Sequence, residues 1–266
     1  MNPLSSRQAI YCTTMVAWLT VGQIVYGADV TGSAVHAGAA GLERGIARVI
    51  CAKADSSYSV RSRALIVDTG ESTPAVEVML APAHVLPRDP QRIKPDCRIA
   101  RVVGSAAKIA EFWLPDDRDT AGGDWAVLLT DQAFNSDIGR LRTGVVAQEV
   151  LERLLAEGVP MHLVLYQPQA DLHGCKLIDA SRSGLTQLQH GVFSHSCRTW
   201  PGTSGAPLVV GLGGEPVVIG MNIGQSLRPS RFSGPSFYGV GQAIHAEIAA
   251  TIELAVERAR AVTAAR

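Results

Sequence analysis

The sequence predicts an all-β fold, two packed antiparallel six-stranded β-barrels followed by a C-terminal α-helix. Three observations carry that prediction. Short apolar runs, several of them alternating, recur between turn residues from Ile46 to Ala243, as they do in barrels and sandwiches. The runs fall into two groups, parted by a stretch of helical texture over 141–158. The chain then closes with a long segment carrying an apolar stripe at helical spacing. A chain of 266 residues with 47% hydrophobic content has enough material for one large domain or two smaller ones.

In chain order, Arg7 precedes "AIYCTTMVAWLTVGQIVYGA", an apolar run that ends in small residues. Val25 and Gly27 suit the positions before a signal-peptidase cut, so 1–28 reads as a signal peptide. Thr13, Thr14, Thr20 and Gln23 weaken the run as a permanent span, which predicts a secreted or periplasmic chain with no stable membrane insertion after cleavage. Residues 29–45, rich in Gly and Ala, read as a flexible lead-in. The first barrel, 46–140, is expected from "IARVICA", "RALIVDT", "AVEVMLA", "RIARVVG", "KIAEFWL" and "WAVLLT". Val146, Val150 and Leu154 then recur at helical spacing up to Gly158, so 141–158 is expected to be a bridging helix. The second barrel, 159–242, is expected from "MHLVLYQ", "GCKLIDA", "GVFSHSC", "APLVVGL", "PVVIGMNIG" and "FYGVGQA". The last helix, 243–262, aligns Ile244, Ile248, Ile252 and Ala255, with Glu early and Arg late as the helix dipole favours.

The 24 basic and 24 acidic residues cancel, and no Lys/Arg stripe stands out along the chain, which argues against nucleic-acid partners. Cys12 would leave with the signal peptide, and the remaining Cys51, Cys97, Cys175 and Cys197 suit disulfides in an oxidising compartment, with three connectivities open. There is no C-x-x-C pair, and His195 beside Cys197 has no second ligand pair, so neither a metal nor another cofactor is implied.

Three residues carry the candidate chemistry. His84 follows an alternating strand between small neighbours and would sit at a barrel rim, where a histidine alone is usually structural. Asp124 stands after two glycines and before an apolar strand. There it is either a turn residue or a buried carboxylate that orients an imidazole. Asp116, Asp117 and Asp119 lie instead in a polar stretch suited to a solvated loop. Ser204 stands in "PGTSGAPLVV", where Gly202 permits a turn that aims its own N–H and that of Ser204 at one oxyanion site. Gly205 and Ala206 keep the space around the hydroxyl open. An α/β-hydrolase would need its acid and then its histidine after the serine. Downstream of Ser204 there is no aspartate, and His245 falls on the last helix.

The order His84, Asp124, Ser204, with "LAPAHVL", "DWAVLLT" and "PGTSGAPLVV" around them, resembles the chymotrypsin/trypsin-like serine peptidases over roughly residues 45–262. The proline and small polar residue before Ser204 are similar to bacterial members such as glutamyl endopeptidases. The resemblance implies a serine endopeptidase that cleaves protein or peptide substrates through an acyl-enzyme on Ser204, with His84 as base, Asp124 as orienting carboxylate, and Gly202 and Ser204 as the oxyanion hole. It further implies a substrate-lining strand at Asn222, Ile223 and Gly224, and a pocket base near Arg198 and Thr199. Two features depart from the family. Ala81, Pro82 and Ala83 precede the histidine in place of Thr-Ala-Ala, and Thr203 replaces the aspartate that, in animal digestive members, pairs with a new N-terminus. An inactive peptidase-fold binding module is the rival reading. If "GCKLIDA" and "GVFSHSC" pair antiparallel, Cys175 lies opposite Cys197, leaving Cys51 and Cys97 to pair or stay free.

Overall fold

The computed structural model describes residues 41–52, 59–101, 106–120, 122–134, 138–165, 173–179, 191–212, 214–230 and 234–266. The expected signal peptide, Cys12 and most of the lead-in lie outside the described residues.

Six strands, β1 (Ile46–Ala52), β2 (Ser59–Ile66), β3 (Val78–Ala81), β4 (Cys97–Ala100), β5 (Ala106–Trp113) and β6 (Ala126–Thr130), form a closed barrel in the order β1-β2-β3-β6-β5-β4. Alternation explains which face each residue takes. Met79 and Ala81 of β3 point into the barrel with Val49, Ile66, Ile99 and Leu128. Val78 and Leu80 point outward, yet they too are buried, because a second layer covers that side. Covered faces on both sides account for the unbroken apolar runs of β3 and β6.

That second layer is a seven-stranded sheet in the order β8-β7-β11-β12-β13-β10-β9. Its strands are β7 (Met161–Leu163), β8 (His173–Cys175), β9 (Leu177–Ile178), β10 (Val192–His195), β11 (Pro207–Leu212), β12 (Glu215–Ser230) and β13 (Gly234–Ala243). The single run "GCKLIDA" therefore supplies two strands. β8 pairs with β7, β9 pairs with β10, and Lys176 alone separates them, so the two edges of the sheet nearly meet.

The expected bridging helix is shorter than 141–158. Helix α1 spans Gln148–Ala156 and buries Val150, Leu151 and Leu154 against the second sheet. Ahead of it the chain is extended and stitches the two layers together. Leu141 N donates to Ile66 O at 2.8 Å, Gly144 N to Val218 O at 3.1 Å, and Val146 N to Ile244 O at 3.0 Å. The β-branched Thr143, Val145 and Val146 suit such a segment better than a helix.

Helix α2 (Ala246–Ala264) buries Ile248, Ile252, Ala255, Val256 and Ala259. It starts later than expected, because Ala243 still belongs to β13 and Ile244 N is held by Ile219 O at 3.0 Å. Its apolar face rests on residues of both layers, among them Leu80 and Val127 of the first and Val209, Val218 and Met221 of the second. Among the described residues, no helix is long and apolar enough to cross a membrane.

The expected Cys175–Cys197 disulfide forms, and of the two outcomes left open for Cys51 and Cys97 the structure shows the bond. Register explains each. Cys51 lies directly opposite Cys97 in the β1–β4 ladder. His195 lies opposite Leu177, and the same antiparallel register carried two residues further brings Cys197 opposite Cys175. Below the first barrel, fully buried Glu77 takes a two-pronged ion pair from Arg140, with Nε at 3.1 Å and Nη2 at 2.9 Å, plus the Phe134 N–H at 3.2 Å.

Candidate active site

β3 ends at Ala81, and Pro82 (φ −68°, ψ 140°) turns the chain into a short 3-10 turn, Ala83–Val85, that carries His84. Pro82 lies beyond the last paired residue of β3, so its missing N–H removes no ladder bond. Asp124 precedes β6 and is anchored by its neighbour Trp125, which is 2% exposed and packs edge-on near the His245 ring at the start of α2.

Asp124 grips His84 twice. Its Oδ1 accepts the His84 backbone N–H at 2.8 Å, and its Oδ2 lies 2.7 Å from Nδ1. With an ionised carboxylate as acceptor, Nδ1 carries the proton and Nε2 is left as a base. The His84 side chain is 44% exposed and that of Asp124 only 13%, so the imidazole faces solvent while its orienting group is sheltered.

The polar loop before Asp124 adds a second hold on the histidine turn. Asp116, Asp117 and Asp119 are exposed. Arg118, however, donates from Nη1 to Pro87 O at 3.3 Å and from Nη2 to Ala83 O and Leu86 O at 3.4 and 3.3 Å. A Cβ at Gly123 would stand 2.3 Å from Asp117 O, so only glycine lets this loop fold back so tightly.

Ser204 sits in a different kind of structure. Thr203 N donates to Trp200 O at 3.0 Å, and with Pro201 second and Gly202 third at φ 94° this is a type II turn. Gly205 follows at φ 81°, and a Cβ there would lie 1.8 Å from Arg63 O and 3.0 Å from Pro82 Cδ. The serine turn is thus pressed against β2 and against the residue that leads into the histidine turn. Ser204 O accepts from Arg63 N and from Ser62 Oγ, both at 2.8 Å, and Gly205 N donates to Asn222 O at 2.6 Å. Arg63 also donates through Nη1 to Gly202 O. Burial, and secondarily the neighbouring Arg48, lower the pKa of its guanidinium.

Among the described residues, the Gly202 and Ser204 N–H groups donate to nothing, which leaves both for an oxyanion. The half-buried Ser204 and His84 Nε2 are not hydrogen-bonded to each other here. Such bonds are often long before substrate arrives.

The residues expected to line a substrate pocket divide. Thr199 Oγ1 reaches Gln225 Oε1 at 3.5 Å, so the 198–200 loop lies beside the strand that carries half-buried Ile223 and Gly224. Arg198 is exposed, with no ion pair among the described residues. Asn222 is 1% exposed and committed inward. Its Oδ1 lies 3.1 Å from His195 Nε2, and its Nδ2 donates to Thr203 Oγ1 at 3.3 Å, which in turn donates to Trp200 O at 2.8 Å.

His195 was legible in the sequence only as half of an incomplete metal pair. It is wholly buried against Gly239, where a Cβ would come within 1.9 Å of the ring. Burial pushes its pKa down to about 4, with the Asn222 hydrogen bond opposing the shift. A neutral imidazole therefore braces the serine turn from beneath.

Comparison with models of known protein families finds no match, and comparison with curated proteins finds none either. The functional reading therefore rests on this arrangement itself.

Proposed function

We propose that the chain is a serine endopeptidase of the chymotrypsin/trypsin type, acting on protein or peptide substrates outside the cytoplasm. The observation that carries the reading is the double grip of Asp124 on His84, next to a glycine-flanked serine turn with two uncommitted N–H groups. A rim histidine with a merely structural role has no need of a sheltered carboxylate fixing its tautomer. The two disulfides support an oxidising compartment, hence secretion or a periplasmic location.

In this mechanism Ser204 Oγ attacks the scissile carbonyl carbon while His84 Nε2 takes the hydroxyl proton. Asp124 stabilises the imidazolium that results. The negative oxygen of the tetrahedral intermediate accepts from the Gly202 and Ser204 N–H groups. Collapse breaks the C–N bond, the amine leaves with the proton from His84, and water releases the acyl group by the same route in reverse. Thr203 is buried and its hydroxyl already bonds Trp200 and Asn222, so no ion pair with a freshly cut N-terminus is needed to shape the turn.

The test is turnover of a peptide library by the chain and by Ser204→Ala. The expected loss is of order 10⁶, the scale for removing a triad member, with the fold unchanged by circular dichroism. Substantial peptidase or esterase activity in Ser204→Ala would overturn the assignment.

A further inference from the structure

The sequence shows no basic stripe, yet the barrel builds one. Arg48 of β1 stands opposite Arg63 of β2, and Ile50 stands opposite both Arg61 of β2 and Arg98 of β4. Arg98 in turn stands opposite Lys108 of β5. Positions two apart on one strand share a face, as do directly paired positions on neighbours, so all five cations project from the outer face of the first barrel. Arg48, Arg61, Arg98 and Lys108 are exposed and Arg63 is half-buried. Among the described residues none of the five makes an ion pair, whereas the nearby Asp96 is taken by Arg92.

Like charges gathered without partners repel, so the arrangement costs stability unless an anion completes it. The far end of the stripe opens into a groove of about 900 Å³ whose lining includes Ile50, Lys94, Arg98 and Lys108, with Asp96, the carboxylate paired to Arg92, as its one acidic member among the described residues. The near end is Arg63, whose side chain holds Gly202 O and whose backbone N–H holds Ser204 O. Across three strand spacings the stripe runs roughly 15 Å, the reach of about four or five extended residues.

We infer that this stripe is an exosite that binds an acidic segment of the polypeptide substrate, guiding the chain toward Ser204. The inference rests on the peptidase reading for its purpose but not for its detection. A polypeptide is favoured over a nucleic acid because the patch leads into the serine turn and because the whole chain has no net charge.

Binding is measured on full-length Ser204→Ala by fluorescence anisotropy, with two labelled peptides that differ only in a run of five Glu or five Gln. The Glu peptide should bind about tenfold more tightly at low salt. The advantage should vanish in about 0.5 M salt, where the Debye length shortens to roughly 4 Å. The triple variant Arg61→Gln, Arg98→Gln, Lys108→Gln should abolish the preference without lowering the melting temperature, since it relieves repulsion among the five cations. In the Ser204-containing chain, the same triple variant should leave kcat/KM on a short neutral peptide intact. Equal binding of the two peptides, a preference that survives the triple variant, or tighter binding of a mixed-sequence DNA duplex than of the Glu peptide would each overturn the exosite. Because the primary readout is binding, those results are distinct from an absence of peptidase activity.

Discussion

The first barrel closes through continuous backbone ladders, whereas the sheet of the second layer stops one residue short, at Lys176. Each layer has a disulfide between neighbouring strands, but the bonds sit in different mechanical settings. Cys51–Cys97 duplicates a connection that the β1–β4 ladder already makes. Cys175–Cys197 spans the seam itself and leads directly into the segment ending at Ser204. The chemistry is divided the same way. The closed barrel presents a histidine held by a carboxylate, and the open one presents a turn held by two positive-φ glycines and by contacts borrowed from β2. Rigidity is intrinsic to the first side and assembled on the second.

The largest effect should come from the intrinsically held side. Asp124→Asn replaces an acceptor at Nδ1 with an amide and favours the wrong tautomer, so kcat should fall ~10⁴ while the melting temperature changes little. A near-normal rate would move the orienting role elsewhere. The two disulfides should separate stability from rate. Loop-closure entropy assigns about 4 kcal/mol to Cys51–Cys97 and about 3 kcal/mol to Cys175–Cys197. Replacing the first pair by Ala should lower stability and spare kcat/KM below the melting point. Replacing the second should lower both, by loosening the approach to Ser204. Equal rates for the two variants would erase the distinction between ladder and seam.

A smaller, pH-dependent effect tests the brace beneath the serine turn. His195 is neutral in the fold, with a pKa of about 4 against an ordinary 6.5. The unfolded chain therefore binds the extra proton between those values, and stability must fall as pH drops through that window. It is fully present above pH 6.5, and the loss approaches about 3 kcal/mol near pH 4. His195→Gln should flatten this limb of the pH–stability curve in denaturant titrations. An unchanged slope would mean that another group titrates there.

Local chemistry explains why so much of the architecture was legible. All twelve apolar runs became strands, since alternation and turn residues are local signals, and the Cys175–Cys197 partnership followed once strand pairing was assumed. What was hidden depends on contacts distant in sequence. Residues 141–147 kept a helical pattern, but their backbone groups found acceptors on Ile66, Val218 and Ile244 and stayed extended. The grip of Arg118 on the histidine turn and the burial of Asn222 under His195 leave no periodic trace. The basic stripe appears only when β1, β2, β4 and β5 are laid in register. His84, Asp124 and Ser204 were recognisable because glycines and strand mouths flank them, while the residues that tighten them were not.

An activated Ser204 nucleophile should react covalently with a tagged fluorophosphonate. One adduct per chain is expected, mapped by mass spectrometry to the Ser204 peptide, lost in Ser204→Ala and strongly slowed in His84→Ala and Asp124→Asn. Failure of the folded chain to label, or labelling that persists in Ser204→Ala, would contradict it and leave a peptidase-like fold serving only to bind.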